Sequence, residues 1–289
     1  TFLTLTLLAG CGGGGGGGGE ETADPGYTGV RTQAVIDDSN AQQLALDAYS
    51  GYTTAEPIVA PLSIDSSPNR QFAPLARVLY KSLPAFDFAP TPAPLAVYDE
   101  PGICGGTATV NYNEGTTTVS GSIVYNNYCD SGIVLNGTIT FAGSYDPQTD
   151  DVSLTLDTSG LSDGASYVSG SISLQFNIND SFAPISLSMD LILTDALAHT
   201  YWVKDYSLVI TPGSTFDTVN FSGTFYDYDA GYVVVTTTNP LQVNNFTGIM
   251  ESGTLHFQGA QGTYADLTAT GGGDYTLVVS TGSKYAGTF

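Results

Sequence analysis

Alternation of apolar and polar residues is the feature that most constrains the fold of this chain. In the stretch YVSGSISLQFNI, the apolar side chains recur at every second position, namely Val168, Ile172, Leu174, Phe176 and Ile178. The stretch PISLSMDLIL repeats the pattern with Ile185, Leu187, Met189, Leu191 and Leu193. Because successive side chains of a strand point to opposite faces, this period of two predicts a sheet with one dry face and one wet face.

The same texture begins near residue 103 and runs to the end of the chain, with turn-forming stretches such as YDPQTDD and TGGGD between the strand-like runs. Alternation is typical of antiparallel sheets, since buried parallel strands have continuous apolar runs. We therefore predict a mainly β fold, with a large antiparallel meander of about ten to twelve strands over residues 102–289. A curled half-barrel, a closed barrel and a sandwich all fit the pattern. A recurring Gly-Ser or Gly-Thr phrase, as in SGSI and NGTI, is interpreted as a strand start.

Residues 37–101 have a different composition, rich in Pro and Ala, and are predicted to contain short helices. The first helix spans residues 40–50, with Ser39 as its N-cap and Ala41, Leu44, Ala45 and Ala48 on one face. The second spans residues 74–82 and places Leu75, Val78 and Leu79 together. Helices this short are marginal alone, so we expect both to dock on an apolar surface.

The N-terminal segment consists of ten apolar or small residues, a cysteine and eight glycines. Residues 1–10 are too short to span a bilayer, which needs about 20 residues, and have the character of a signal-peptide remnant. The run Leu7-Leu8-Ala9-Gly10-Cys11 resembles the lipobox of bacterial lipoproteins. The resemblance implies cleavage before Cys11, acylation of Cys11, and sorting to the outer membrane because Gly12 rather than Asp follows.

Residues 11–36 are accordingly predicted to be a lipidated cysteine and a flexible Gly-rich tether. Two or three acyl chains hold a protein on a membrane without any spanning helix. The expected location is the outer membrane or cell surface of a bacterium. Beyond Cys11, the general texture resembles β-rich lipoproteins of proteobacteria, and that resemblance implies no activity.

The charge balance narrows the partners that the chain can bind. It has 28 acidic and 6 basic residues among 289, a formal net charge of -22. Such a surface repels phosphate backbones and anionic headgroups. We therefore expect no nucleic-acid partner, and a membrane contact that depends on acyl chains.

Cys104 and Cys129 are the remaining cysteines, and in an exported protein an even pair predicts a disulfide. The alternative is a metal site that would need further ligands, for which the chain offers only His199 and His256. No catalytic residue is assigned, because neither histidine lies near a nucleophile motif and both are predicted to be structural. No cofactor is expected unless Ca²⁺ binds to carboxylates in turns, and the candidates are Asp146, Asp150, Asp151, Asp227 and Asp229.

Three functions remain open on the sequence alone. The first is a non-catalytic, lipid-anchored envelope or surface protein with a structural or binding role, for which an envelope protein is one partner to consider. The second is a carrier that holds a lipid or other hydrophobic ligand in a curled β-sheet cavity plugged by the short helices. The third is a carbohydrate- or calcium-dependent binding module that uses exposed tyrosines beside carboxylates.

Overall fold

The computed structural model describes residues 26–49, 96–130, 133–164, 166–180 and 182–289. They form one antiparallel sheet of 14 strands in which each strand pairs with the next along the chain. The strands are β1 Ala96–Pro101, β2 Gly105–Glu114, β3 Thr118–Asp130, β4 Ile133–Asp146, β5 Asp151–Ser162, β6 Tyr167–Asn177, β7 Ile185–Thr194, β8 Thr200–Thr211, β9 Phe216–Asp227, β10 Gly231–Asn244, β11 Met250–Gln258, β12 Tyr264–Gly271, β13 Asp274–Val279 and β14 Lys284–Thr288. The predicted antiparallel meander is confirmed, with more strands than the ten to twelve expected.

The sheet stays open, because β1 and β14 are its two edges and do not pair with each other. Its strands begin earlier than predicted, since β1 lies within the segment that the sequence assigned to the Pro/Ala-rich region. A 3-10 turn, Ala260–Gly262, joins β11 to β12. Among the described residues, no helix combines the length and apolar character that a bilayer crossing requires.

The alternation in the sequence becomes burial on one face, which we call the inner face. In β5, Val152, Leu154 and Leu156 are buried while their polar neighbours are exposed. The five alternating apolar residues of the PISLSMDLIL stretch, Ile185 to Leu193, are buried in β7, as predicted, and Ile192 is buried on the opposite face. Ile178 differs from the prediction, because it lies beyond the end of β6 and is 46% exposed. Each fully buried Leu or Ile stabilises the fold by roughly 1.5–3 kcal/mol.

One short helix, α1, spans residues 41–49 and packs on the inner face. The predicted apolar stripe is confirmed, since Ala41, Leu44, Ala45 and Ala48 are each at most 2% exposed. The start of α1 differs from the prediction in detail. The Oγ of Ser39 donates to Oδ1 of Asp37 at 2.6 Å, and that carboxylate also accepts the N–H of Ser39. The second predicted helix, 74–82, lies outside the described residues.

Most glycines of the recurring phrase lie inside strands, although Gly106 lies at the start of β2. Gly137 and Gly170 are the fifth and fourth residues of β4 and β6, and both have positive φ, 123° and 128°. At Gly170 a Cβ would collide with the backbone carbonyl of Asp190 on β7. The glycine therefore lets two strands approach closely, which a side chain at that position would prevent.

The Cys104–Cys129 disulfide predicted from the sequence is present. It links the turn between β1 and β2 to the end of β3, where the N–H of Cys104 also donates to the carbonyl of Cys129 at 3.2 Å. In the chain-entropy treatment, a closed loop of this size stabilises the fold by about 3 kcal/mol. The cross-link lies at the edge of the sheet, where the end strand has a partner on one side only.

Candidate functional surfaces

The most unexpected feature is an ordered segment, residues 26–36, which we call the strap. It crosses one end of the sheet, the strap end, where the turns after β7, β9, β11 and β13 lie. Hydrogen bonds tie it successively to β8, the β9–β10 turn, β10 and the β11–β12 connection. The donors and acceptors are Thr28 N–H to Thr200 Oγ1 at 2.9 Å, Val30 N–H to the Tyr228 carbonyl at 3.0 Å, Ala34 N–H to the Tyr232 carbonyl at 2.9 Å and Ile36 N–H to Thr263 Oγ1 at 3.0 Å. The sequence placed these residues in the flexible tether. The structure corrects that boundary, since Ala34 and Ile36 are at most 2% exposed.

The strap begins on the outer, polar face of the sheet, where it covers a small aromatic cluster. Tyr27 is 3% exposed and packs against Ile192, Trp202 and Tyr226. Its hydroxyl donates to the Asp227 carbonyl at 2.6 Å, and burial raises its pKa above the ordinary range of a tyrosine. Arg31 closes the strap on itself by donating from Nη2 to the Tyr27 carbonyl at 2.6 Å.

Trp202, the single tryptophan, belongs to this cluster and is only 5% exposed. Its ring stacks on Tyr226 at 4.8 Å between centroids, Lys204 Nζ lies 4.7 Å from its centroid, and its Nε1 donates to Asp190 at 2.6 Å. A ring that stacks on a sugar needs an open face, and these contacts cover Trp202. The aromatic cluster therefore holds the strap in place.

The strap ends on the inner face, where α1 continues it. Tyr285 of β14 donates to the Asp38 carbonyl at 2.8 Å, and Gln42 Nε2 donates to the Tyr275 hydroxyl of β13 at 2.8 Å. Near the other end of α1, the hydroxyl of Tyr206 on β8 donates to the Ala48 carbonyl at 3.2 Å. The helix thus bridges the inner face from β14 to β8, and it fills with its own side chains the surface that a hydrophobic ligand would need.

The C-terminal turn of α1, which carries Asp47, lies near carboxylates of the strap end. Burial raises the pKa of Asp47 to about 6, with a hydrogen bond from Gln43 acting to lower it and the nearby Asp227 carboxylate acting to raise it. Burial, together with Asp195, Asp227 and Asp47, also raises the pKa of Tyr201 to about 12. Burial, with a smaller contribution from the Asp227 carboxylate, therefore favours the protonated form of Asp47.

We expect Asp47→Asn to stabilise the protein at pH 7.5 by roughly 2 kcal/mol and to have little effect at pH 4. The folded-state pKa of Asp47 is higher than its unfolded value. Its contribution to stability is therefore greatest at acid pH and is lost as the pH rises from about 4 through about 6. Urea unfolding at both pH values measures the difference, with Asp229→Asn as a control for the removal of one negative charge. An equal effect of Asp47→Asn at both pH values would show that this carboxyl titrates normally.

The five carboxylates proposed for calcium are separated into two groups at opposite ends of the sheet. Asp146 and Asp150 flank the β4–β5 turn, where Asp146 Oδ1 accepts the N–H of Gln148 and Asp150 Oδ1 accepts the hydroxyl of Tyr145 at 2.5 Å. Asp151 accepts a hydrogen bond from the Asn177 side chain at 2.9 Å.

At the strap end, Asp227 accepts the N–H groups of Asp229 and Ala230, which closes the β9–β10 turn. Within the described ranges, no group of three or more His, Cys, Asp or Glu side chains is arranged to hold a metal ion.

Each histidine pairs with a carboxylate on the surface. His256 Nδ1 lies 2.7 Å from Asp266 Oδ1 on the neighbouring strand, and His199 Nδ1 lies 3.3 Å from Asp195 Oδ2. The ring of His199 also stacks on Tyr228 at 4.4 Å. In the part of the chain that the structure describes, neither imidazole has a hydroxyl or thiol as a hydrogen-bond partner, which is the contact that activates a nucleophile.

The outer face is polar over most of its width. Cross-strand partners from β2 to β9 line up in one row of small side chains, without a single charge: Asn113, Ser120, Ala142, Thr155, Ser173, Ser188, Ser207 and Ser222. Neighbouring strands lie about 4.8 Å apart, so the row is roughly 34 Å long. The hydroxyl and amide groups of this row can donate and accept hydrogen bonds.

Comparisons with known proteins return no match, since no family model, no curated protein and no solved structure is significantly similar to this chain. The described surfaces therefore have to be interpreted from their own chemistry. That chemistry is suited to binding, through polar side chains and backbone groups. Cys11, the residue proposed for acylation, lies outside the described residues.

Proposed function

We propose that the protein is a non-catalytic, lipid-anchored component of a bacterial cell envelope with a structural or binding role. The resemblance of residues 7–11 to a lipobox supports acylation of Cys11. The presence of Gly12 after the cysteine supports the outer membrane or the cell surface as the location. Binding to the membrane through acyl chains needs no apolar surface on the folded body. This agrees with a sheet whose apolar side chains are mostly buried, on the inner face and under the strap.

The strap is the observation that carries the proposal, because it connects the anchor to one defined end of the fold. Gly26 lies fifteen positions after Cys11, a length of chain that reaches at most about 50 Å when fully extended. The strap fixes its own first residues to β8 and to the end of β9. An acylated Cys11 would therefore hold the strap end toward the membrane and leave the outer face accessible to the surrounding compartment.

The polar row on the outer face and the net charge of -22 define which partners suit this role. Nucleic acids and other polyanions are repelled. A partner from the envelope, contacted through hydrogen bonds to hydroxyl and amide groups, agrees with both features. A carrier function is less well supported, because the inner-face side chains that surround α1, including Val203, Tyr206 and Leu277, have no exposed surface.

Acyl labelling tests the proposal directly. The protein is expressed with its native export signal in a Gram-negative host supplied with an alkyne-labelled palmitate. We expect label on the wild-type chain and complete loss of label, with release from the membrane fraction, for Cys11→Ala. The double variant Cys104→Ala/Cys129→Ala is the matched control and should retain the label. An unlabelled wild-type chain, or a labelled Cys11→Ala variant, would contradict the proposal.

A further inference from the structure

The two edges of the open sheet present backbone groups that have no partner in the sheet. Such edges are templates for pairing with another strand. In an antiparallel ladder, directly opposite residues alternate between pairs that exchange hydrogen bonds and pairs that do not. Residues of the second kind point their N–H and C=O groups away from the neighbouring strand, and on an edge strand these groups face outward.

On β14 the outward residues follow from the bonds at both of its ends. Val279 N–H donates to the Ser283 carbonyl at 2.9 Å, and Phe289 N–H donates to the Gly273 carbonyl at 2.9 Å. The pairs Leu277–Tyr285 and Tyr275–Gly287 are therefore the bonded ones. Lys284, Ala286 and Thr288 direct their backbone groups outward, and all three are exposed.

On β1 the outward residues follow from the hydrogen bond that the Gly102 N–H donates to the Gly106 carbonyl at 3.1 Å. Glu100 and Tyr98 then belong to bonded pairs with β2, and Val97, Asp99 and Pro101 face outward. The two edges fit each other in one register. Lys284 lies opposite Asp99, Tyr285 opposite Tyr98, and Ala286 opposite Val97.

Charge and burial favour this register. Lys284 is one of three basic residues in the described ranges, with Arg31 and Lys204, and it lies on an edge strand. Asp99 lies on the other edge and on the same outer face. On the inner face, Tyr98 is 39% exposed and would extend the apolar surface beside Tyr285. Opposite charges and aromatic pairs across strands each stabilise a ladder by roughly 0.2–1 kcal/mol.

We propose that copies of this chain associate edge to edge, with β14 of one copy added in antiparallel orientation to β1 of the next. The sheet has an even number of strands, so β1 and β14 run in opposite directions. A copy placed beside the first in the same orientation therefore continues the antiparallel meander. The contact is head-to-tail, so it leads to a ring or an open row of subunits.

This orientation also suits the proposed anchor, although the association does not depend on it. All copies in such a row present the strap, and hence the segment that leads to Cys11, at the same end. The contact involves few residues, so we expect weak association in solution, with a Kd on the order of 0.1 mM. Copies held on one membrane would have a higher effective concentration than free copies.

Analytical ultracentrifugation of the full chain carrying Cys11→Ala tests the proposal without any contribution from acyl chains. At 0.15 M salt we expect the average mass to rise above 30.0 kDa with concentration. Lys284→Glu should weaken association by about tenfold, and adding Asp99→Lys to it should restore most of the loss. Lys204→Glu, the same change of charge six strands from β14, is the control.

Ala286→Pro provides a second variant, since it removes an outward N–H that β13 does not use. Its melting temperature should stay close to that of the parent, while association is abolished. A single monomeric species up to about 1 mM would overturn the proposal. Equal weakening by Lys284→Glu and Lys204→Glu would overturn it as well. Neither result bears on acylation of Cys11, which the labelling experiment tests separately.

Discussion

Tyr206→Ala should lower the free energy of unfolding by about 3–5 kcal/mol, whereas Tyr206→Phe should lower it by only about 1 kcal/mol. Tyr206 has no exposed surface and packs edge-on against Phe221 at 4.7 Å between centroids. Its hydroxyl donates to the Ala48 carbonyl in α1. The alanine variant loses the ring and leaves a cavity between β8 and α1, while the phenylalanine variant loses one hydrogen bond.

Urea unfolding of the two variants separates packing of the ring from the hydrogen bond to α1. Tyr167→Ala is the matched control, because Tyr167 lies on the outer face of β6 and is 51% exposed. We expect it to change stability by less than about 1 kcal/mol. If Tyr206→Ala were as mild as Tyr167→Ala, α1 would not be packed on the inner face at β8.

Much of the fold is predictable from the sequence because burial repeats at every second residue. The inner face of β7 and the apolar stripe of α1 both agree with the side-chain pattern. The disulfide follows from an even cysteine pair, given the expectation that the chain is exported. In each case the prediction depends on side chains, either on the spacing of apolar residues or on the number of cysteines.

The strap could not be predicted in the same way, because its hydrogen bonds are made largely by backbone N–H groups, which every sequence supplies. The local indication that the strap offers is a short alternation in burial. Ala34 and Ile36 are buried, while Val35 between them is 41% exposed. The openness of the sheet was likewise undetermined, since it depends on twist accumulated over many strands. Interpreting the glycine phrase as a strand start places the start too late, as at Gly170, which is the fourth residue of β6.

The candidate surfaces depend on residues that lie far apart in the chain. Asp47 is close enough to Asp227 for the carboxylates to interact only because α1 crosses the inner face to β8. Lys284 and Asp99 become edge residues only when all 14 strands are placed in order. Composition indicated the acidic character of the protein, and the fold decides where its few cations lie.

Apart from the small aromatic cluster under the strap, the apolar side chains are confined to one face of the sheet, and the fold depends on this. Two neighbouring residues of β5 test it, since Leu156 has no exposed surface and Thr155 points to the outer face. Leu156 lies between Phe141 and Ile172 on the adjacent strands, so Leu156→Asn loses apolar burial and places an amide without partners among them. Together these effects amount to about 4–6 kcal/mol.

Urea unfolding of Leu156→Asn and Thr155→Asn under the same conditions is the most direct measurement. Both variants receive the same side chain, and neither alters the net charge. We expect the large loss for Leu156→Asn and a change below about 1 kcal/mol for Thr155→Asn. Equal losses for the two variants, or a larger one for Thr155→Asn, would contradict a sheet with one apolar face.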